Sequence, residues 1–291
     1  MIIDKQEDVT RAVLQEMHRT PEARTSEVLS AMVKHLHAFI REVKLTEREF
    51  QDAIGTLNAI GQRTTPSHNE AMLMAGALGV SNLICLLNNG LQGTRPTQAN
   101  NLGPFYRAGS PRCDNGASIV RSPTPGAGLV FRGEVRDLEG RPIAGAAVEV
   151  WHPSPVGLYE NQDATQAEMN LRGRFTTDAN GAFSFRSVKP SGYPVPTDGP
   201  TGALLRAQKR HHFRPAHIHF LIHKPGFKTI ASQVYDPSDP YLETDSQFGV
   251  TRALIGNFRK SGEDYSLEFT FTLEPGESWL PKAPITEKVA A

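Results

Sequence analysis

The apolar residues of this chain change their period once, near residue 100, and that change constrains its fold more than any other feature. Before it, Val28, Leu29, Met32, Leu36, Phe39, Ile40 and Val43 recur at the three-and-four spacing that places them on one side of a helix. After it, apolar residues alternate through short runs such as LVFRGEVRD, AVEVWH, AHIHFLI, KTIASQVYD and YSLEFTFTL, with proline and glycine between them. Alternation is the period of a strand with one buried face. Several short strands punctuated by turn residues predict an antiparallel β-sandwich. The expected fold is therefore mainly β, with a helical domain over residues 1–105 followed by a β-sandwich domain over 106–291. The boundary falls in the loop-rich stretch 100–125.

Local signals refine the pattern. Thr46 with Glu49, and Ser67 with Glu70, fit capping boxes, in which hydroxyl and carboxylate satisfy orphan backbone amides reciprocally. The second box would open a long apolar helix through AMLMAGALGVSNLICLLNN, weak at Gly76 and Gly79 unless something packs closely there. Glu139-Gly140 predicts a turn joining the first two strands, and Asn180-Gly181 predicts a tight hairpin in RFTTDANGAFSFRSV.

Composition narrows the classes of function. Lys+Arg and Asp+Glu both total 31, so no net field draws the chain towards nucleic acid or an anionic membrane. It contains no apolar run of the roughly 18 residues that a membrane span needs. The opening MIIDKQED carries acids where a signal peptide would carry basic and apolar residues, so a soluble, cytoplasmic protein is expected. Cys85 and Cys113 form neither a disulfide framework nor a metal cluster, and both read as small buried hydrophobes.

Most histidines look incidental: His18, His35 and His37 read as surface residues, His68 and His152 as structural ones. His217 and His219 differ. Their imidazoles point to one face of a strand, about 7 Å apart along the backbone, where a sandwich strand would place apolar core. Metal ligation explains such a pair, because imidazole suits iron, copper and zinc; a hydrogen-bonded pair at a sheet edge is the other explanation. Spacing leaves the further ligands open. Asp236, Asp239, Glu243 and Asp245 follow the next strand and would suit a ferrous site of two histidines and one carboxylate. Tyr159, in PVGLYENQ, and Tyr193, in the proline-rich SGYPVPTDGP, offer phenolates instead, hard oxygens that favour ferric iron.

The segments VEVWHPSPVGLYENQ, NLRGRFTTD, SGYPVPTDGPTG and RPAHIHFLI, in this order, resemble the intradiol ring-cleavage dioxygenases. The resemblance covers nearly the whole chain, and the helical N-terminal region is similar to the linker domain of that family. NLRGRF and YPVPTDGP look most like hydroxyquinol 1,2-dioxygenases, with catechol and chlorocatechol 1,2-dioxygenases next. The resemblance implies Fe(III) held by Tyr159, Tyr193, His217 and His219. It assigns Arg214 to charge on the activated substrate and Gln233 to the same pocket. Gly103, Pro104, Phe105 and Tyr106 would form one wall, with Pro194, Val195 and Pro196 opposite. The implied reaction opens an aromatic diol with dioxygen between its two hydroxyl groups, Tyr193 leaving the metal and accepting a proton. Hydroxyquinol (benzene-1,2,4-triol) would give 3-hydroxy-cis,cis-muconate, the enol of maleylacetate; catechol or a chlorocatechol would give cis,cis-muconates. A homodimer through the N-terminal helices, with a phospholipid in its interface tunnel, is also implied.

One position departs from the family pattern. Many hydroxyquinol enzymes carry an acid at the position aligned with Gly76, where glycine leaves more room and removes a polar contact. Met74 is expected to shape the same wall. The strand grammar also resembles small transthyretin-like and carboxypeptidase-regulatory-like modules, which bind without metal; two histidines on one strand face and a tyrosine in a rigid loop distinguish this chain from them.

Overall fold

The computed structural model describes residues 2–89 and 96–288. The chain divides into two compact units, Met1–Asn58 and Ala59–Ala291. In the first, α1 (Gln6–Met17) packs on α2 (Ala23–Val43). Helix α3 (Glu47–Arg63) opens on the predicted box: Thr46 N donates to the Glu49 carboxylate at 2.8 Å, and Glu49 N donates to Thr46 Oγ1 at 3.3 Å. Val28, Met32, Leu36, Phe39 and Val43 form an exposed stripe on α2, and Phe50, Ile54 and Leu57 form another on α3.

The long apolar helix expected after Ser67 is instead two, α4 (Glu70–Ala77) and α5 (Val80–Asn88), bent by 76°. Gly79 supplies the break, with φ of 72° that a residue bearing Cβ adopts only at a cost. The box at Ser67 does not form either. Asn69 caps α4 by accepting from Met72 N at 2.8 Å, while Glu70 accepts from Thr201 N, also at 2.8 Å. That amide is an orphan donor in the first turn of α6 (Pro200–Ala207), and the buried carboxylate satisfies it. Among the described residues no single helix is long and apolar enough to cross a membrane; α4 and α5 meet that length and composition only when taken together.

Ten strands are present among the described residues. They are β1 (Gly128–Arg136), β2 (Ala147–Trp151), β3 (Arg172–Thr176), β4 (Ala182–Val188), β5 (Tyr193–Pro194), β6 (Phe213–Arg214), β7 (His217–His223), β8 (Ile230–Tyr235), β9 (Arg259–Ser261) and β10 (Asp264–Thr272). One sheet has the order β4-β1-β10-β9 and another β3-β2-β7-β8, while β5 and β6 pair alone. Strands β1 and β10 run parallel, so the first sheet is mixed and the wholly antiparallel expectation is corrected. The hairpin expected at Asn180-Gly181 does not pair its own strands, and neither do the strands joined at Glu139-Gly140. The turns form, with Gly140 at φ 80° and Gly181 at φ 73°, but each carries the chain from one sheet to the other. Turn residues specify a reversal of direction, whereas the partner is set by which apolar face finds a core. Crossing puts Phe131 and Val135 of β1, and Val148 and Val150 of β2, into the same core.

That core draws on both four-stranded sheets, with Phe131, Phe183, Phe185, Leu267 and Phe271 from one and Val148, Phe175, Ile218, Phe220 and Ile222 from the other. Alternation along β7 decides where the histidines go. Ile218, Phe220 and Ile222 enter the shared core, which places His217, His219 and Leu221 on the opposite face. The histidine pair therefore does not occupy the inter-sheet core, as its strand face suggested. It lies buried beside a second apolar cluster that includes Leu73 of α4, Phe105, Trp151, Tyr159, Tyr193 and Leu205 of α6. The Phe131 ring centroid lies 4.9 Å from that of Phe185 and 5.0 Å from that of Phe220 across the core. Phe131→Ala should accordingly cost about 3–5 kcal/mol of unfolding free energy in urea titrations.

Candidate metal centre

Four side chains that could bind a metal converge from three segments. Tyr159 precedes a short 3-10 turn (Glu160–Gln162), which the buried Glu160 carboxylate anchors through Arg107 Nη1 at 2.9 Å and Arg172 Nε at 2.7 Å. Tyr193 is the β5 partner of Arg214 on β6. His217 and His219 come from β7. Their Nε2 atoms lie 3.1 Å apart, and His219 Nε2 lies 3.1 Å from Tyr159 Oη. The Tyr159 and Tyr193 rings meet edge to face at 5.2 Å, and the Tyr193 ring lies 5.5 Å from that of His217. All four residues are essentially inaccessible to solvent.

The hydrogen bonds fix the chemistry of His217. Its Nδ1 donates to Pro215 O at 2.6 Å, and Arg214 Nη1 donates to its Nε2 at 3.2 Å, so Nε2 carries a lone pair. His219 is held by stacking on Trp151 at 4.8 Å, and its Nδ1 has no hydrogen-bond partner. Burial, reinforced by the Arg214 charge, keeps His217 well below the usual histidine range; burial and the neighbouring His217 do the same to His219. Both imidazoles are thus neutral, the form that binds metals. Burial and the adjacent Tyr193 hold Tyr159 far above the usual phenol range, and burial raises Tyr193 despite the opposing Arg214 charge. A phenolate at either position needs a cation beside it.

The carboxylates that a ferrous site would require are engaged elsewhere. Asp236 binds Lys189 and Ser238, Asp239 accepts from Ala216 N and Tyr241 N, and Glu243 is exposed. Asp245 accepts from Arg214 at 3.0 Å through Nε and 2.9 Å through Nη2. Among the described residues no three histidine, cysteine or acidic side chains cluster as a metal site. The donor set on the page is two imidazole nitrogens and two phenolic oxygens, which fits a hard trivalent ion better than zinc or ferrous iron.

Arg214 ties the surroundings together. Its Nη2 also donates to Tyr235 Oη at 2.9 Å and to Gln233 Oε1 at 3.1 Å, and Gln233 Nε2 donates to Asn101 O at 2.8 Å. Phe105 stacks on Tyr159 at 4.6 Å, whereas Tyr106 turns away onto Trp151. The adjoining pocket is lined by Gly103, Pro104, Tyr193, Val195, Arg214 and Gly76 from the expected set. Pro194, Pro196 and Gln233 do not line it, and neither does Met74. Met72 takes the place of Met74, because it lies four residues from Gly76 and so shares that helix face. The extra room expected at Gly76 is filled: a Cβ there would lie 1.6 Å from Gln247 Oε1. Sequence reading missed Met72, Leu73, Ser81, Asn101 and Gln247. A helical wheel would have found the first, but loop residues such as Asn101 and Gln247 carry no periodic signal.

Residues 102–275 match the family model described as Dioxygenase, and residues 22–94 match Catechol dioxygenase N terminus. The chain belongs to the intradiol ring-cleavage dioxygenases. This dioxygenase is 38% identical to the 6-chlorohydroxyquinol 1,2-dioxygenase of Cupriavidus pinatubonensis, over 93% of this chain and 98% of that one. It is 39% identical to a catechol 1,2-dioxygenase of Candida albicans, over 81% and 79% respectively. Among solved structures, hydroxyquinol 1,2-dioxygenase from Pseudomonas putida superposes with a TM-score of 0.83 at 33% identity, covering 93% of this chain and 99% of that one.

The dioxygenase depends on the buried Arg214–Asp245 pair in a way that acid exposes. Burial opposes charge on Asp245, but Arg214 and the amides of Gln247 and Gly249 outweigh it and hold the carboxyl below its ordinary range. A group held low contributes fully above the unfolded value near pH 4 and loses its contribution as pH falls through the folded value. Asp245→Asn should therefore cost about 3–5 kcal/mol at neutral pH. In denaturant titrations that difference should shrink on acidification below about pH 4.

Proposed function

We propose that this enzyme opens a catechol-type diol with dioxygen between its two hydroxyl groups, with hydroxyquinol as its preferred ring. The convergence of two neutral imidazoles and two buried phenols beside an arginine carries the reading. Relatives named for hydroxyquinols support the choice of ring. Catechol or a chlorocatechol is the second reading, supported by the similarity to the Candida albicans enzyme.

Tyr159, Tyr193, His217 and His219 would hold a ferric ion, which when bound supplies a Lewis acid that draws electron density from the coordinated diol and readies its ring for dioxygen. With that ion in place Tyr193 would be a phenolate, whose Oη can take a proton from an incoming hydroxyl group. Tyr193 sits on a two-residue strand paired only with β6, directly beside Arg214. Tyr159 stays packed under Phe105. Arg214 is a fixed positive charge beside the pocket, already oriented by Asp245, Gln233 and Tyr235, so it can stabilise negative charge on the ring without reorganising. Leu73, Pro104 and Val195 keep bulk water from that charge.

The helical region 1–105 is assigned to linking and dimerisation, and 106–291 to catalysis, in a cytoplasmic enzyme. The exposed apolar stripes on α2 and α3 support a homodimer. The same stripes would suit acyl chains, and mass spectrometry of extracted lipid tests for a phospholipid. Sedimentation should give a dimer, and Leu36→Lys with Phe39→Lys should shift it towards monomer.

Oxygen uptake with hydroxyquinol, catechol and 4-chlorocatechol tests the reaction; no uptake with any of them would refute it. The iron-loaded protein should be wine-red, and Tyr159→Phe should lose the visible band or the iron. Arg214→Gln should retain iron and colour while kcat falls by about 100-fold or more; an unchanged kcat would remove Arg214 from its role.

A further inference from the structure

Gln247 is only 4% exposed, lines the pocket beside Tyr193 and Arg214, and has no hydrogen-bond partner for its Nε2. A buried amide nitrogen without a partner is costly, so its place against the pocket points to a ligand atom that completes it. Gly76 makes the placement possible. A Cβ at that position would lie 1.6 Å from Gln247 Oε1 and 2.7 Å from its Cδ, so any side chain there would push the amide out.

The backbone that presents Gln247 is held as firmly as the site itself. Gln247 N donates to Asp245 Oδ1 at 3.1 Å, and Gly249 N donates to Asp245 Oδ2 at 2.9 Å. Phe248 has a φ of 55°, unusual for a bulky residue, and its carbonyl accepts from Asn82 Nδ2 at 2.6 Å. Asp245 also grips Arg214, so one turn orients both the arginine and the amide towards the pocket.

We infer that Gln247 is a specificity-determining residue whose Nε2 donates a hydrogen bond to a ring oxygen other than the two of the cleaved diol, the third hydroxyl of hydroxyquinol. The inference rests on the proposed diol cleavage. Catechol, lacking that oxygen, leaves the donor unpaired. A site built to hydrogen-bond a hydroxyl discriminates against the analogue without it more strongly than an apolar wall can.

The test compares kcat/KM for hydroxyquinol and catechol, by oxygen uptake, in the wild-type enzyme and two variants, with anaerobic binding calorimetry of both diols as a second readout. Gln247→Met removes the donor while keeping the length. Gly76→Ala leaves the glutamine in place but displaces its amide. Each variant should lower the hydroxyquinol-to-catechol ratio about tenfold, equivalent to about 1.4 kcal/mol, and weaken hydroxyquinol binding selectively. The double variant should lose no more than either alone, because both act on one contact. Ratios within twofold of wild type in both variants overturn the inference, as does a wild-type enzyme that cleaves catechol but not hydroxyquinol. An enzyme that takes up oxygen with none of the diols refutes the diol reading itself, and the inference with it.

Discussion

A guanidinium ion buried as completely as that of Arg214 is tolerable only if its charge and its donors are answered, and the answers organise the functional half of the molecule. Asp245 neutralises it through two hydrogen bonds, Tyr235 and Gln233 share the remaining Nη2 donor, and Nη1 donates to the lone pair of His217. The partners come from three pieces of the fold, Gln233 and Tyr235 sharing β8. Asp245 and the loop after it, β8 and β7 are therefore held in one register by one side chain. Because that side chain faces the histidines, a disturbance anywhere in the network reaches the site.

The network can exist because β7 is buried on both faces. Its even-numbered residues fill the core shared by the two sheets, so the strand cannot slip by one residue without putting imidazoles among phenylalanines. The register that stabilises the protein is thus the register that assembles the donors. Covering the other face takes α4, α6 and the loops bearing Tyr159 and Tyr193, whose aromatic rings exclude water at the cost of making every ionisable group there reluctant to carry charge. Neutral imidazoles and protonated phenols are the natural state of such a cavity without a cation. A cation is what would make phenolates affordable.

How much of this the sequence made legible depended on whether a feature was periodic. Helix α2, the strands and the shared direction of His217 and His219 followed from spacing, and the tyrosines from family resemblance, whereas the break at Gly79 that makes two helices of the expected one did not. Pairing did not follow: Asn180-Gly181 marks a reversal, but whether β4 stays beside β3 or crosses to β1 is decided by a core that forms between residues distant in sequence. Glu70 was misread for a related reason, since its local partner at Ser67 competed with a buried amide on α6 that no local pattern announces. Among the carboxylates after β8, Asp236, Asp239 and Asp245 were set apart from the donor set only by their own hydrogen bonds, and Glu243 only by its exposure.

Gly76 shows the same limit from the other side. Read along the chain, glycine in place of an acid is a subtraction, with more space and one polar contact fewer. In three dimensions the vacated volume is where the Gln247 amide sits, delivered by a turn whose geometry Asp245 sets for an unrelated reason, the neutralisation of Arg214. The polar group at this wall thus comes from the loop after β8 and not from the covering helix, and it is of the donor kind: the acid that the family resemblance would put on the helix can only accept a hydrogen bond when ionised, whereas an amide Nε2 can donate one. Selectivity is a difference between affinities, so a donor in place of an acceptor at one wall would alter which ring substituents are favoured without changing Tyr159, Tyr193, His217, His219 or Arg214.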